Sequence, residues 1–155
     1  MQVDGTCHCG HVTYTAEIDP DNVSICHCTD CQVLTSSAFR IVVPSLAGTF
    51  RLLSGAPRIY VKTADSGAKR AQAFCPECGT QIYSAATAGQ PQIYGLRAGS
   101  IRQRAQLRPT RQIWCGSAFS WVNDIASLPQ SGLTTLTAGA SAQGDPVDGK
   151  SLPAR

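Results

Sequence analysis

Seven of the eight cysteines in this chain fall into three close groups, a spacing typical of metal-binding thiolates. The groups are Cys7 and Cys9; Cys26, Cys28 and Cys31; and Cys75 and Cys78. Cysteines this close bridge one another only with strain, whereas they suit a tetrahedral metal ion. Disulfide scaffolds are also usually shorter secreted chains. The spacing therefore favours metal over a disulfide framework.

Two of the groups are pairs, each with its own glycine, in the segments CHCG and CPECG. Two such cysteine pairs, each in a tight turn, usually bind the same metal ion. Their four thiolates would then enclose one ion completely, as structural zinc sites require. The ion would join the beginning of the chain to its middle. We predict a structural zinc held by Cys7, Cys9, Cys75 and Cys78; the alternative is that one pair is merely buried.

Cys26, Cys28 and Cys31 lie within six residues, in the segment CHCTDC. Three thiolates leave one of the four zinc positions open for water, a substrate thiolate or an aldehyde oxygen, as in catalytic zinc sites. We predict a catalytic zinc here.

The alternative is a second structural site completed by a distant ligand, either His27 or Cys115. His27 lies between two ligands on an extended segment, so its side chain is expected to point away from the metal. Cys115 follows Ile113 and Trp114, an apolar context that predicts a buried, inert thiol.

The elements that carry these residues are predicted to be short strands separated by turns, which indicates an all-β domain. The predicted strands are 3–9, 11–17, 23–28, 38–44, 49–53, 58–62, 69–74, 82–85, 92–97 and 111–115. A tight turn at 54–57 is predicted to join the fifth and sixth strands. A short helix is predicted over 29–37 with Thr29 or Asp30 as its cap, and Trp121 is expected to cover one face of the core.

The length of 155 residues predicts a single domain, which we place at 1–129. Residues 130–155 are rich in Gly, Ala, Ser and Thr and contain no aromatic residue, so we predict a flexible tail there. The net charge of +3, carried by scattered basic residues, argues against a nucleic-acid partner. No apolar run approaches the roughly 20 residues that a membrane span requires, and residues 1–5 do not resemble a secretory signal. Reduced thiols make the cytoplasm the expected compartment.

Taken in order, the motifs CHCG, CHCTDC and FCPECGT, then Ala98-Gly99-Ser100, Ile113-Trp114 and Trp121, resemble the glutathione-dependent formaldehyde-activating enzyme family, which shares a domain with centromere protein V. The resemblance spans about residues 3–127. It implies an Mss4-like β-tent of antiparallel strands stapled by zinc. It also implies the division of zinc sites given above.

The activity implied by this resemblance is a carbon–sulfur lyase reaction written in reverse, in which glutathione and formaldehyde join as S-hydroxymethylglutathione. The partners would then be a small thiol, with glutathione as co-substrate, and a small aldehyde. The chain departs from the family pattern at Ile101-Arg102, where Leu-Asp is common, and at Gln112, where His is frequent.

Glutathione carries two carboxylates, so basic residues are expected near the open zinc. The candidates are Arg40, Lys69, Arg70 and Arg97, each of which is otherwise a typical solvated surface charge. A second hypothesis is a non-catalytic β scaffold, stabilised by zinc, that binds a partner. The fourth ligand at the three-cysteine site distinguishes the two, because a protein side chain there would favour the scaffold.

Overall fold

Short runs of alternating apolar and polar residues form ten strands in the computed structural model, which describes residues 1–64 and 66–129. The strands are β1 (Gln2–Thr6), β2 (Thr13–Glu17), β3 (Ser24–Cys26), β4 (Arg40–Pro44), β5 (Arg51–Ser54), β6 (Arg58–Thr63), β7 (Lys69–Phe74), β8 (Gln81–Ala86), β9 (Gly95–Arg97) and β10 (Arg111–Ile113). One α-helix, α1, spans Thr29–Thr35. Short 3-10 helices lie at Ala98–Ser100, Arg104–Gln106, Cys115–Ser117 and Ser120–Ser127.

The strands form two sheets. The smaller sheet has the order β1-β2-β5, and the larger has the order β10-β3-β4-β9-β8-β7-β6. Neighbours are antiparallel throughout, except that β10 runs parallel to β3. The prediction of an all-β domain is confirmed.

The tight turn predicted at 54–57 does join the fifth and sixth strands, but these two strands do not pair with each other. β5 pairs with β2 in the smaller sheet, whereas β6 pairs with β7 at the edge of the larger sheet. The turn at 54–57 therefore carries the chain from one sheet to the other. Turn residues show that a chain reverses but not which strand becomes the partner, so the sequence did not reveal this crossing.

The hydrophobic core takes side chains from both sheets. Its fully buried members include Val3 and Tyr14 of the smaller sheet and Val43 and Leu96 of the larger one. Aromatic rings extend this core, with the Phe50 ring stacked on the ring of Tyr94 at 4.3 Å. The Tyr14 hydroxyl forms a 2.8 Å hydrogen bond with the Ser100 hydroxyl, which satisfies the polar end of a buried ring.

The expectation that Trp121 covers the core is wrong. Trp121 is 51% exposed and is the second residue of the 3-10 helix Ser120–Ser127. Its ring stacks on that of Phe119, at 6.0 Å between centroids. Local apolar composition predicted burial, but the sheets complete their core without this segment.

Contacts between Cα atoms divide the chain into two units, Met1–Val122 and Asn123–Arg155. All ten strands belong to the first unit. In the second, where the structure describes residues 123–129, the Ser127 hydroxyl donates to the Asp124 carbonyl at 2.7 Å. The predicted tail, 130–155, lies outside the described residues, so the boundary at 129 stays a prediction. Within the described residues, every helix is too short or too polar to cross a bilayer.

Candidate metal and catalytic centre

The four-cysteine group, Cys7, Cys9, Cys75 and Cys78, is built from two tight turns. The Gly10 amide donates to the Cys7 carbonyl at 3.1 Å, and the Gly79 amide donates to the Cys75 carbonyl at 2.9 Å. Both glycines have positive φ, +79° and +70°, which side-chain-bearing residues rarely adopt. The predicted strand 3–9 is too long, because β1 ends at Thr6 and a turn, not an extended strand, brings the sulfurs of Cys7 and Cys9 together.

The sulfur atoms of Cys7, Cys9, Cys75 and Cys78 all lie within 4.8 Å of one another. The Cys7–Cys9 sulfur distance is 3.5 Å and the Cys9–Cys75 distance is 3.8 Å. Four sulfurs around zinc at about 2.3 Å would be about 3.8 Å apart, whereas a disulfide requires about 2.05 Å. All eight cysteines are free thiols. This donor set therefore fits an enclosed zinc ion.

Neighbouring groups favour the thiolate form at two of these cysteines, Cys7 and Cys78. The Val12 amide donates to the Cys7 sulfur at 3.2 Å. Hydrogen bonds from the side chain and backbone of Thr80 lower the pKa of Cys78 to about 5. Because metal ligation requires deprotonated cysteine, both contacts prepare the site for a cation.

Cys26, Cys28 and Cys31 are brought together where β3 meets α1. Cys26 ends β3, Cys28 is the N-cap of α1, and Cys31 lies in the first helical turn. The Cys28 sulfur is 3.5 Å from that of Cys26, and the Cys31 sulfur is 3.3 Å from that of Cys26. The predicted cap at Thr29 or Asp30 is wrong, because the Cys28 sulfur itself accepts from the Cys31 amide at 3.4 Å.

These three thiols do not titrate alike. The hydrogen bond from Cys31 lowers the pKa of Cys26 to about 5, and the positive charge of Arg40 acts in the same direction. The same hydrogen bond, together with burial, raises the pKa of Cys31. One thiolate is thus present at neutral pH before any cation arrives.

Neither proposed fourth ligand joins the three sulfurs. The Nε2 atom of buried His27 makes a 2.7 Å hydrogen bond with Oε1 of Gln112, and its Nδ1 has no partner within the described part of the chain. Cys115 is exposed at the start of the 3-10 helix Cys115–Ser117, so the predicted buried thiol is wrong. Among the described residues, the ligand group holds three cysteines only.

The three cysteines open onto a cavity of about 680 Å³. The pairing of the strands explains which residues line this cavity. Cys26 is opposite Arg40, Val42 is opposite Arg97, and Ser84 is opposite Gln72 and Gly95, so these positions share one face of the larger sheet. Other cationic residues at this cavity are Lys62, Arg70 and Arg111.

Arg40 and Arg97 are buried rather than solvated, with exposures of 4% and 7%. Both donate to the side-chain oxygen of Gln72, Arg40 from Nη1 at 3.4 Å and Arg97 from Nη2 at 2.7 Å. Arg40 also donates to the Gln81 side chain. Burial lowers the pKa of both groups, that of Arg97 to about 9 with a further contribution from the Arg40 charge.

Of the other two candidates, Arg70 is exposed at the cavity and Lys69 is exposed outside its lining. The sequence analysis did not identify Gln72 or Gln81. The strand segment RIVVP at 40–44 shows no polar alternation that could have pointed to them, and only strand pairing shows that Gln72 lies on the same face as Arg40 and Arg97.

Comparison with known proteins places this geometry in a family. A solved structure of a Rhodobacter sphaeroides protein has a TM-score of 0.54 and 20% identity, covering 70% of this chain and 98% of that one, and so shares the fold. A comparison with curated proteins found no match. The model of the glutathione-dependent formaldehyde-activating enzymes matches residues 2–117, which include both cysteine groups. The chain therefore belongs to the glutathione-dependent formaldehyde-activating enzyme family.

Proposed function

We propose that the protein is a zinc-dependent carbon–sulfur lyase, working in the direction that adds a small aldehyde to a thiol such as glutathione. Cys26, Cys28 and Cys31 would hold the catalytic zinc, and the four-cysteine group would hold the structural one. The observation that carries the proposal is the convergence of three sulfurs beside a large cavity, with no fourth protein ligand among the described residues. Family membership supports the same chemistry.

The reaction forms a bond between the thiol sulfur and the aldehyde carbon. The carbon–oxygen π bond breaks, and the thiol proton ends on the resulting hydroxyl oxygen. Zinc, when bound, supplies Lewis acidity that keeps a thiol sulfur deprotonated at neutral pH. The chain's own part is to hold the two reactants together, which can remove several kcal/mol from a barrier, roughly 7–11 in well-oriented cases.

Residues around the cavity fit this role. Cys28 is partly exposed and faces the cavity, so a guest can approach the cluster from its side. Val42 and Trp114 form an apolar part of the cavity wall, which limits the access of water to the reacting groups. The cationic residues at the same cavity would attract an anionic thiol.

The test is exchange NMR on protein, glutathione and formaldehyde, following formation of the thiohemiacetal. We expect acceleration that the Cys28→Ser variant loses and the Cys115→Ser variant keeps. Cys115 is the matched control because it is a thiol outside both ligand groups. Equal rates with and without the wild-type protein would contradict the lyase and leave the non-catalytic scaffold as the better account.

The proposal places the protein in the cytoplasm, because its thiols must stay reduced to bind zinc. It assigns small molecules as partners, and no nucleic acid, since the net charge is only +3.

A further inference from the structure

We infer that β6 is an interaction surface to which a second copy of this chain adds its own β6, antiparallel to the first. The two larger sheets would then continue across the contact as one sheet. The inference goes beyond the proposed function and does not depend on it, because β6 contributes no ligand to either cysteine group.

The first argument is that β6 has an open edge. It is the last strand of the larger sheet and pairs with β7 on one side only. Its register with β7 runs without a bulge from Arg58 to Thr63, and at six residues it is as long as any strand that the structure describes. Among those residues, no other backbone group pairs with its outer edge. An unpaired row of N–H and C=O groups is a template for another strand.

This edge also lacks the usual protection. Sheet edges are commonly kept from pairing by proline, a bulge or an outward-pointing lysine. β6 contains no proline, and its single lysine, Lys62, turns toward Asp30, which leaves 12% of the lysine side chain exposed. By contrast, β1 at the edge of the smaller sheet is partly covered by a bridge between Gly5 and Ile101. β6 is therefore a long edge that the fold leaves accessible.

The second argument is that β6 is apolar on both of its faces. Ile59, Tyr60 and Val61 are 45%, 52% and 47% exposed. Because side chains alternate along a strand, Ile59 and Val61 lie on one face and Tyr60 lies on the other. An occupant must offer apolar groups to both faces at once. A paired strand does this, whereas a helix laid on the sheet covers only one face.

The third argument is that β6 is complementary to itself. Two antiparallel copies centred on Tyr60 place Ile59 of each copy opposite Val61 of the other, and the two Tyr60 rings opposite each other. Cross-strand apolar and aromatic pairs of this kind stabilise sheets. The arrangement has twofold symmetry, so it closes as a dimer and does not propagate.

Charge complementarity favours the same register. Arg58 shares a face of β6 with Lys62, the residue that pairs with Asp30. In the dimer, Arg58 of one copy lies opposite Lys62 of the other, beside a carboxylate that is 51% exposed and can accept from a second cation. Because Asp30 lies between Cys28 and Cys31 and lines their cavity, the second copy would contribute a residue to the rim of that cavity.

The experiment measures the mass of the zinc-loaded full chain by sedimentation velocity. The concentrations run from roughly 1 µM to 1 mM, because one strand pair buries less than a standard interface and should give modest affinity. We expect a monomer–dimer equilibrium. Ile59→Lys combined with Val61→Lys sets like charges opposite each other and should raise the dimer Kd about tenfold or more. Leu53→Lys is the matched control, since Leu53 is 63% exposed on β5, at the edge of the smaller sheet, and should leave the Kd unchanged.

Two further measurements test the register. In a mixture of isotope-labelled and unlabelled wild-type chains, filtered NOESY spectra should show contacts between the Ile59 methyl groups of one copy and the Val61 methyl groups of the other. Arg58→Gln should weaken the dimer and reduce its dependence on salt. Arg108→Gln should do neither, because Arg108 is exposed and precedes β10, at the far end of the same sheet.

A full chain that stays monomeric up to about 1 mM would overturn the inference. If the β6 amides of that monomer exchanged slowly, the occupant would come from the same chain. A dimer whose Kd the two lysine substitutions leave unchanged would also overturn it. Circular dichroism checks that the doubly substituted chain is folded, as expected for two exposed positions. Should it not fold, the contacts between wild-type copies decide, and contacts confined to other strands would refute the pairing of β6.

Discussion

At the scale of the residue, Cys28 has two roles that a single substitution can distinguish. Its sulfur caps α1 by accepting from the Cys31 amide at 3.4 Å, and it belongs to the three-sulfur group. Serine is also a favourable N-cap but a much poorer zinc ligand. A thiol at this position would therefore be needed for metal binding, whereas the helix needs only a hydrogen-bond acceptor.

Cys28→Ser should keep the fold and lose one zinc ion. Cys75→Ser removes a fully buried sulfur from the enclosed group, so it should lose the other ion and much of the stability. Zinc analysis and thermal melting measure both effects, with Cys115→Ser as the control. The assignment of roles would fail if Cys28→Ser unfolded the protein and Cys75→Ser left its melting temperature unchanged.

At the scale of the element, α1 is a short helix that must be held in place from outside. Its first turn is tied to β6 by the ion pair between Asp30 and Lys62, at the edge of the cavity. The Gln81 side chain of β8 donates to the Leu34 carbonyl near the other end of the helix. Two strands of the larger sheet thus fix the helix that carries Cys31.

Lys62→Met should lower the free energy of unfolding by about 0.5–1 kcal/mol, because an ion pair this close to the surface contributes modestly. The loss should shrink at high salt as screening weakens the wild-type pair. Lys69→Met on β7 is the control, since Lys69 is exposed and forms no ion pair with the described residues. Urea unfolding at low and high salt measures the effect; equal losses in the two variants would contradict it.

At the scale of the whole molecule, the four-cysteine group joins the end of β1 to the turn between β7 and β8. Zinc binding of this kind can contribute on the order of 10 kcal/mol, comparable with the 5–15 kcal/mol by which typical domains are stable. The three-cysteine group spans only the β3–α1 junction, so an ion held there would contribute less to the stability of the fold.

Chelation should therefore remove two zinc ions in two stages. The first ion should leave from the three-cysteine group with little change in far-ultraviolet circular dichroism. The second should leave with cooperative unfolding. Zinc release followed by a chromogenic chelator, alongside circular dichroism, gives the order. A metal-free protein with the wild-type melting temperature would contradict a structural role for the enclosed ion.

The sequence alone determined the cysteine grouping, the all-β class and the approximate position of most strands. These are local properties, since knuckle spacing, turn residues and period-two alternation are visible within ten residues. Lys69–Phe74 was predicted with its observed bounds. The exposure of Cys115 was not predicted, because its apolar neighbours indicated burial.

Tertiary structure decided which polar residues meet the cysteines. Arg40, Arg97 and Gln72 come from three strands, and only the order β3-β4-β9-β8-β7 places them on one face. Burial of an arginine depends on what packs over it from elsewhere in the chain, which no local pattern encodes. The sequence thus specified the thiols that could hold a metal ion, and long-range strand pairing decided which charges lie beside them.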